Sequence, residues 1–149
     1  MGREMDTMMA SWADRHRVTL PDLDEDGYRY FVFDGEFEVK FSQAGQEMLL
    51  ETDLGELPQK RSASAILFER LLKMQMARAG GSPEILALDG ERRMFVLHRS
   101  LPLSRTELPQ LEDAISSFVN ATAFWSTQME VNERTSFEAS PRDLQILMP

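Results

Sequence analysis

Two β-favouring runs joined by Asp34-Gly35 constrain this chain most: Tyr28-Arg-Tyr-Phe-Val-Phe33 before the dipeptide and Glu36-Phe-Glu-Val-Lys-Phe41 after it. Aromatic and β-branched residues fit a pleated surface, and Asp-Gly accepts the left-handed backbone that a tight hairpin turn requires. The chain therefore contains an antiparallel hairpin, which excludes an all-helical fold. A two-residue turn pairs Phe33 with Glu36, Phe31 with Glu38 and Arg29 with Lys40. Tyr28, Tyr30 and Val32 then share the expected core face with Phe37, Val39 and Phe41, while Phe31 and Phe33 stand on the charged face. There they either form an aromatic patch in an acidic surround, suited to an apolar peptide with basic flanks, or lie beneath a covering helix.

Elsewhere the apolar period changes from two to three and four. Met5, Met8, Met9 and Trp12 give one stripe and predict a first helix over Glu4 to His16, ended by Pro21 and the Asp run. Met48 and Leu50 alternate within a third strand, Gln46 to Asp53, closed by Gly55 and Pro58. Ser62 to Ala79 is the strongest helix, stopped by Gly80-Gly81. Its apolar residues form two rows, Leu67, Leu71 and Met74 on one and Ala65, Phe68, Leu72 and Met76 on the other, so one side needs a second partner. Glu84 to Leu88 and Arg93 to Arg99 make a second hairpin around Asp89-Gly90. Leu108, Leu111, Ile115, Phe118, Thr122, Trp125 and Met129 mark a long third helix. The order αβββαββα predicts an α+β fold, a twisted antiparallel sheet packed with three helices. One domain is expected over 1–132. Residues 133–149 read as a loosely held tail, with Ser140-Pro141 shaped like a helix start and an apolar cluster at Leu144, Ile146, Leu147 and Met148.

Composition narrows the function. At 149 residues with 42% hydrophobic content, the chain is long enough for one core and too apolar to be disordered. It has no cysteine, which removes thiol catalysis, thiolate metal sites and a disulfide framework. No apolar stretch follows the charged first residues as in a secretory signal, and no window approaches a membrane span. The chain reads as soluble and cytoplasmic, with no membrane partner. Met1 to Leu57 holds 14 acids and 5 bases, so it carries the whole net charge of −9, whereas Pro58 to Pro149 has 11 of each. Such a surface repels phosphate backbones and argues against nucleic acid, while attracting a basic or neutral polypeptide.

The chemical motifs are weak. Asp22-x-Asp24-x-Asp26-Gly27 resembles the opening of a calcium loop, but the places for an apolar residue and a bidentate glutamate hold Arg29 and Phe33. An acidic turn is the better reading. His16 and His98 have no second His or Cys nearby to make a metal site. Glu36 and Glu38 share a strand face and read as its wet side rather than a catalytic pair. No Gly-rich phosphate cradle and no Gly-x-Ser-x-Gly elbow is present. A binding protein without cofactor or metal is expected, not an enzyme.

The element order and several local signatures resemble the class I type III secretion chaperones, the CesT and SycE type, over roughly Met5 to Met129. The likeness rests on Gly27 followed by a strand ending in Asp34, on Leu71-Leu72, on Ile85-Leu-Ala-Leu-Asp89, on Leu97 to Leu103 with its Leu-Pro-Leu, and on Trp125. Gln75 stands where the family often has Asn. The resemblance implies a homodimer in the cytoplasm of a Gram-negative bacterium, its interface falling to Leu67, Leu71, Met74, Ile85 and Ala87. It also implies that the N-terminal chaperone-binding segment of a secreted effector wraps the dimer in extended form, by apolar patches and strand addition, and stays soluble and secretion-competent. Trp12, Phe31, Phe33 and Phe37 are the candidate effector contacts, and the secretion ATPase is a further implied partner. The alternative is a regulatory adaptor of the same fold that binds a transcription regulator or a component of the secretion apparatus.

Overall fold

The computed structural model describes residues 3–78 and 80–138. Its elements are α1 (Arg3–Arg15), β1 (Arg29–Phe33), β2 (Phe37–Ala44), β3 (Glu47–Glu56), α2 (Arg61–Arg78), β4 (Ile85–Asp89), β5 (Met94–Pro102) and α3 (Leu108–Glu138), with a 3-10 turn at Leu103–Arg105. The order and the α+β class match the sequence expectation. Helix α3 runs past residue 132, the expected domain boundary, as far as Glu138. Ser140-Pro141 and the cluster Leu144, Ile146, Leu147 and Met148 lie outside the described residues.

Local chemistry explains the ends. Glu4 and Asp6 occupy the first turn of α1 and Arg15 its last, each sign favourable to the helix dipole. Val18 N–H donates back to the Ala13 carbonyl at 2.9 Å, with Arg17 in left-handed backbone, φ 55°. Pro109 sits in the first turn of α3, where a missing N–H costs nothing, and Gln110 Oε1 reaches back to accept the Glu107 N–H at 2.9 Å.

The five strands form one antiparallel sheet in the order β1-β2-β3-β5-β4. Both β1 and β4 are therefore edges. Register corrects the sequence reading of the first hairpin: Phe33 pairs with Phe37, Phe31 with Val39 and Arg29 with Phe41. The loop has three residues, Asp34 to Glu36, with Asp34 and Gly35 left-handed (φ 55° and 65°) and the Glu36 N–H donating to the Phe33 carbonyl. That one extra residue reverses the two faces of β1 relative to β2. Phe31 and Phe33 join Phe37, Val39 and Phe41 on the core side, and Tyr30 and Val32 move to the charged side opposite Lys40 and Glu38.

Helices α1 and α3 cover the core side. Met5, Met9 and Trp12 of α1 and Leu111, Ile115, Phe118 and Trp125 of α3 are buried against Phe31, Phe41, Met48, Leu50 and Leu97. Each such side chain contributes roughly 1.5–3 kcal/mol of burial free energy. A bulge between Asp53 and Gly55 lets α3 approach closely; a Cβ at Gly55 would lie 2.9 Å from Met129 Cε. The opposite side carries Tyr30, Val32, Glu38, Lys40, Glu51 and His98, all exposed or half-buried.

Candidate functional site

The register that buries Phe31 also builds a groove beside the outer edge of β1. Phe31 meets Trp12 at 5.2 Å between ring centroids and Phe41 at 5.5 Å, and Phe33 lies 6.0 Å from Trp12. Helix α1 is held over these rings by ion pairs at both ends. Arg29 donates to Asp6 at 3.0 Å and also to the Pro21 carbonyl, while Arg15 pairs with Glu112 of α3 at 2.8 Å. Between α1, α3 and β1 remains a groove of about 490 Å³, lined on its apolar side by Trp12, Val18, Phe33, Ile115 and Val119 and rimmed by His16, Asp34 and Glu112.

The four candidate effector contacts differ in exposure. Trp12 and Phe31 are 6% and 8% exposed, so they form the floor of the groove and the core beneath it rather than a free patch. Phe33 and Phe37 are half-buried and retain accessible surface. Of the four, Trp12, Phe31 and Phe33 come together, while Phe37 faces a second groove at the end of the sheet. Sequence reasoning passed over Val18 and Val32, which are 44% and 60% exposed at the first groove. A correct register is the signal that would have found Val32.

The second groove, about 590 Å³, is acidic; Tyr30, Glu36, Glu38, Glu51, Asp53 and Glu130 line it, with Lys40 and Arg92. Both cations are engaged. Lys40 pairs with Glu51 at 3.4 Å, and Arg92 bridges Asp53 at 2.8 and 2.9 Å and Asp89 at 2.8 Å. The side-chain bond from Arg92, then its backbone N–H, holds the Asp89 carboxyl below the ordinary value. Among the described residues, Glu36, Glu38 and Glu130 have no cationic partner within ion-pair distance.

The Asp22 to Gly27 segment is an acidic turn. Asp24 Oδ1 accepts the Tyr28 and Asp26 N–H groups at 2.8 and 2.9 Å, and the Tyr28 bond leads in lowering its pKa. Gly27, at φ 85°, then turns the chain into β1. No group of three His, Asp or Glu among the described residues converges as a metal site requires.

Helix α2 has the two rows that its sequence predicts, one buried and one open. Leu67 and Leu71 are each 1% exposed, inside the chain's own core. Met74 is half-buried against the same core, and Ala87 is half-buried on β4. Phe68, Leu72 and Met76 are open at 43%, 49% and 70%, as is Ile85 at 48%. Spacing alone shows two rows but not which one α3 covers. Arg70 donates to Gln128 of α3 at 2.8 Å, Arg78 lies 4.0 Å over the Phe124 ring, and Gln75 Oε1 accepts the Leu86 N–H at 3.1 Å. These contacts turn the Leu67–Leu71 row inward. Among the described residues no helix is long and apolar enough to cross a membrane.

Comparisons agree with this architecture. The structure resembles that of the HopA1–SchA chaperone–effector complex, with a TM-score of 0.69 at 15% identity over 83% of this chain and 94% of the other. It also resembles the ExsC–ExsE complex, with a TM-score of 0.68 at 17% identity over 85% and 94%. A third likeness is to the ExoU–SpcU heterodimeric complex of the Pseudomonas aeruginosa type III secretion system, with a TM-score of 0.62 at 14% identity over 78% and 93%. No curated protein matches the sequence significantly. The model of the Tir chaperone protein (CesT) family matches residues 20–126, from before β1 into α3, so the chain belongs to that family of type III secretion chaperones.

Proposed function

We propose that this protein is a cytoplasmic, homodimeric effector chaperone that holds the N-terminal chaperone-binding segment of a secreted effector in extended form and keeps it soluble and secretion-competent. The observation that carries this reading is the apolar groove of Trp12, Phe33, Ile115 and Val119 beside an edge strand that pairs on one side only. A passing segment can add to such an edge by backbone hydrogen bonds while its apolar side chains fill the groove. Masking an aggregation-prone segment needs no catalytic group, so the chain acts by binding and not as an enzyme. The chaperone–effector complexes with the same fold support the partner class.

The open stripe of Ala65, Phe68, Leu72 and Met76 on α2 is the face assigned to the second copy, in place of Leu67 and Leu71. Exposed apolar residues at i, i+3 and i+7 spacing are what a two-fold helix contact uses. Energy for release belongs to the secretion ATPase.

The test is capture from the native cytosol with mass spectrometry, joined to light scattering on the isolated protein. A dimer of twice 17.1 kDa with a stoichiometric secreted protein held by its N-terminal region is the expected result. A monomer that retains no partner overturns the reading, and a regulator or secretion component in place of an effector replaces it with an adaptor.

A further inference from the structure

The two sides of β1 differ in chemistry, and that difference specifies what an added strand must look like. Strand β1 pairs only with β2, and among the described residues no other backbone group bonds across the outer edge of Tyr30 to Val32. Alternate residues of a strand laid along that edge point to opposite sides of the sheet. On the helix side they meet the apolar groove of Trp12, Phe33 and Val119. On the other side they pass over Tyr30 and Val32, exposed at 40% and 60%, toward Glu38, which is the cross-strand partner of Val32.

We propose that the client segment is an extended strand in which apolar residues alternate with lysine or arginine. This rests on the chaperone reading and names the chemistry of its client. Glu38 lies two strand spacings from the added strand, roughly 10 Å away. A lysine or arginine bridges that span by laying its hydrocarbon stem over Val32 and Tyr30 and placing its charge at Glu38 and Glu36. Lys40 does not supply that charge, because it is held by Glu51 and lies 4.4 Å over the Tyr28 ring. The excess of acids before Leu57 adds attraction at longer range.

Dye-labelled peptides of equal length and apolar content test this with the full chain, by fluorescence anisotropy at low and physiological salt. One alternates apolar residues with lysine, one alternates them with serine, and one places the same apolar residues and lysines in two blocks. The alternating lysine peptide is expected to bind at least tenfold more tightly than the other two. Glu36→Gln with Glu38→Gln should bring it to the level of the serine peptide and flatten its salt dependence. Equal binding of the alternating and block peptides overturns the proposal, since charge alone then suffices. A serine peptide as tight as the lysine one overturns it too and leaves the chaperone reading standing. No binding by any of the three overturns the proposal, and the capture experiment from native cytosol then decides the chaperone reading separately.

Discussion

Trp12 of α1 meets Phe31 of β1 edge to face, ring centroids 5.2 Å apart and planes at 87°. The pair closes the core at the floor of the proposed client groove, so the site is made from the same rings that hold α1 to the sheet. Phe31→Ala is expected to cost about 3–5 kcal/mol, as for a buried aromatic truncated in a packed core. Phe33→Ala should cost less than half as much, because Phe33 is only half-buried. It should also weaken client capture in a protein that still folds. Urea unfolding compares the two, and equal losses would mean that the groove floor and wall are not distinct.

Acid should weaken the fold through Asp24 and Asp89. Hydrogen bonds from Tyr28 and Arg92 respectively lead in holding both carboxyls below their ordinary value. A depressed folded-state pKa gives stability that is complete above the unfolded value, about 3.9, and lost as pH falls through the folded value. The thermal midpoint should therefore fall as pH drops from 5 toward 2. Arg92→Met should show a shallower fall, since Asp89 then loses its principal stabilising donor. Parallel curves for the two proteins would remove Arg92 from the account.

Much of the fold was legible because helix stripes and strand alternation are local. Met5, Met9 and Trp12 had to face inward, and Leu111 to Trp125 could only be a long amphipathic helix. Two features were not. Which side of β1 is buried depends on whether Glu36 belongs to the turn, and Asp34-Gly35 reads the same either way. Which row of α2 is buried depends on α3, since both rows contain leucine at helical spacing. Burial of Glu84, 2% exposed at the head of β4, was equally hidden. Its carboxylate accepts from Ser82 Oγ at 3.2 Å and from the Ser117 hydroxyl, a partner far along the chain.

The loop makes its own prediction. Asp34 and Gly35 are already both left-handed, the combination that a two-residue hairpin turn requires. Deleting Glu36 should therefore leave Phe33 opposite Phe37 with the faces unchanged, and stability within about 1 kcal/mol of the parent, since loop-closure cost changes little with one residue. Inserting a residue in β1 after Val32 should instead force part of the strand to the wrong face and unfold the hairpin. Circular dichroism and urea midpoints report both. A deletion variant that fails to fold would show that Glu36 is needed for the turn.

The exposed row of α2 separates folding from assembly. Phe68→Glu with Leu72→Glu places charges where the chain alone leaves both side chains about half open, so the protomer should keep its helical signal and melt near the parent. In a dimer the same charges would face each other across an apolar contact and be desolvated, so light scattering should report a monomer. Leu71→Glu is the contrasting variant. At 1% exposure it buries an unpaired carboxylate in the protomer itself, and loss of the fold is expected rather than clean dissociation. A Phe68→Glu, Leu72→Glu protein that remains dimeric would move the interface off α2, leaving the open side of the sheet around Ile85 as the face to test next.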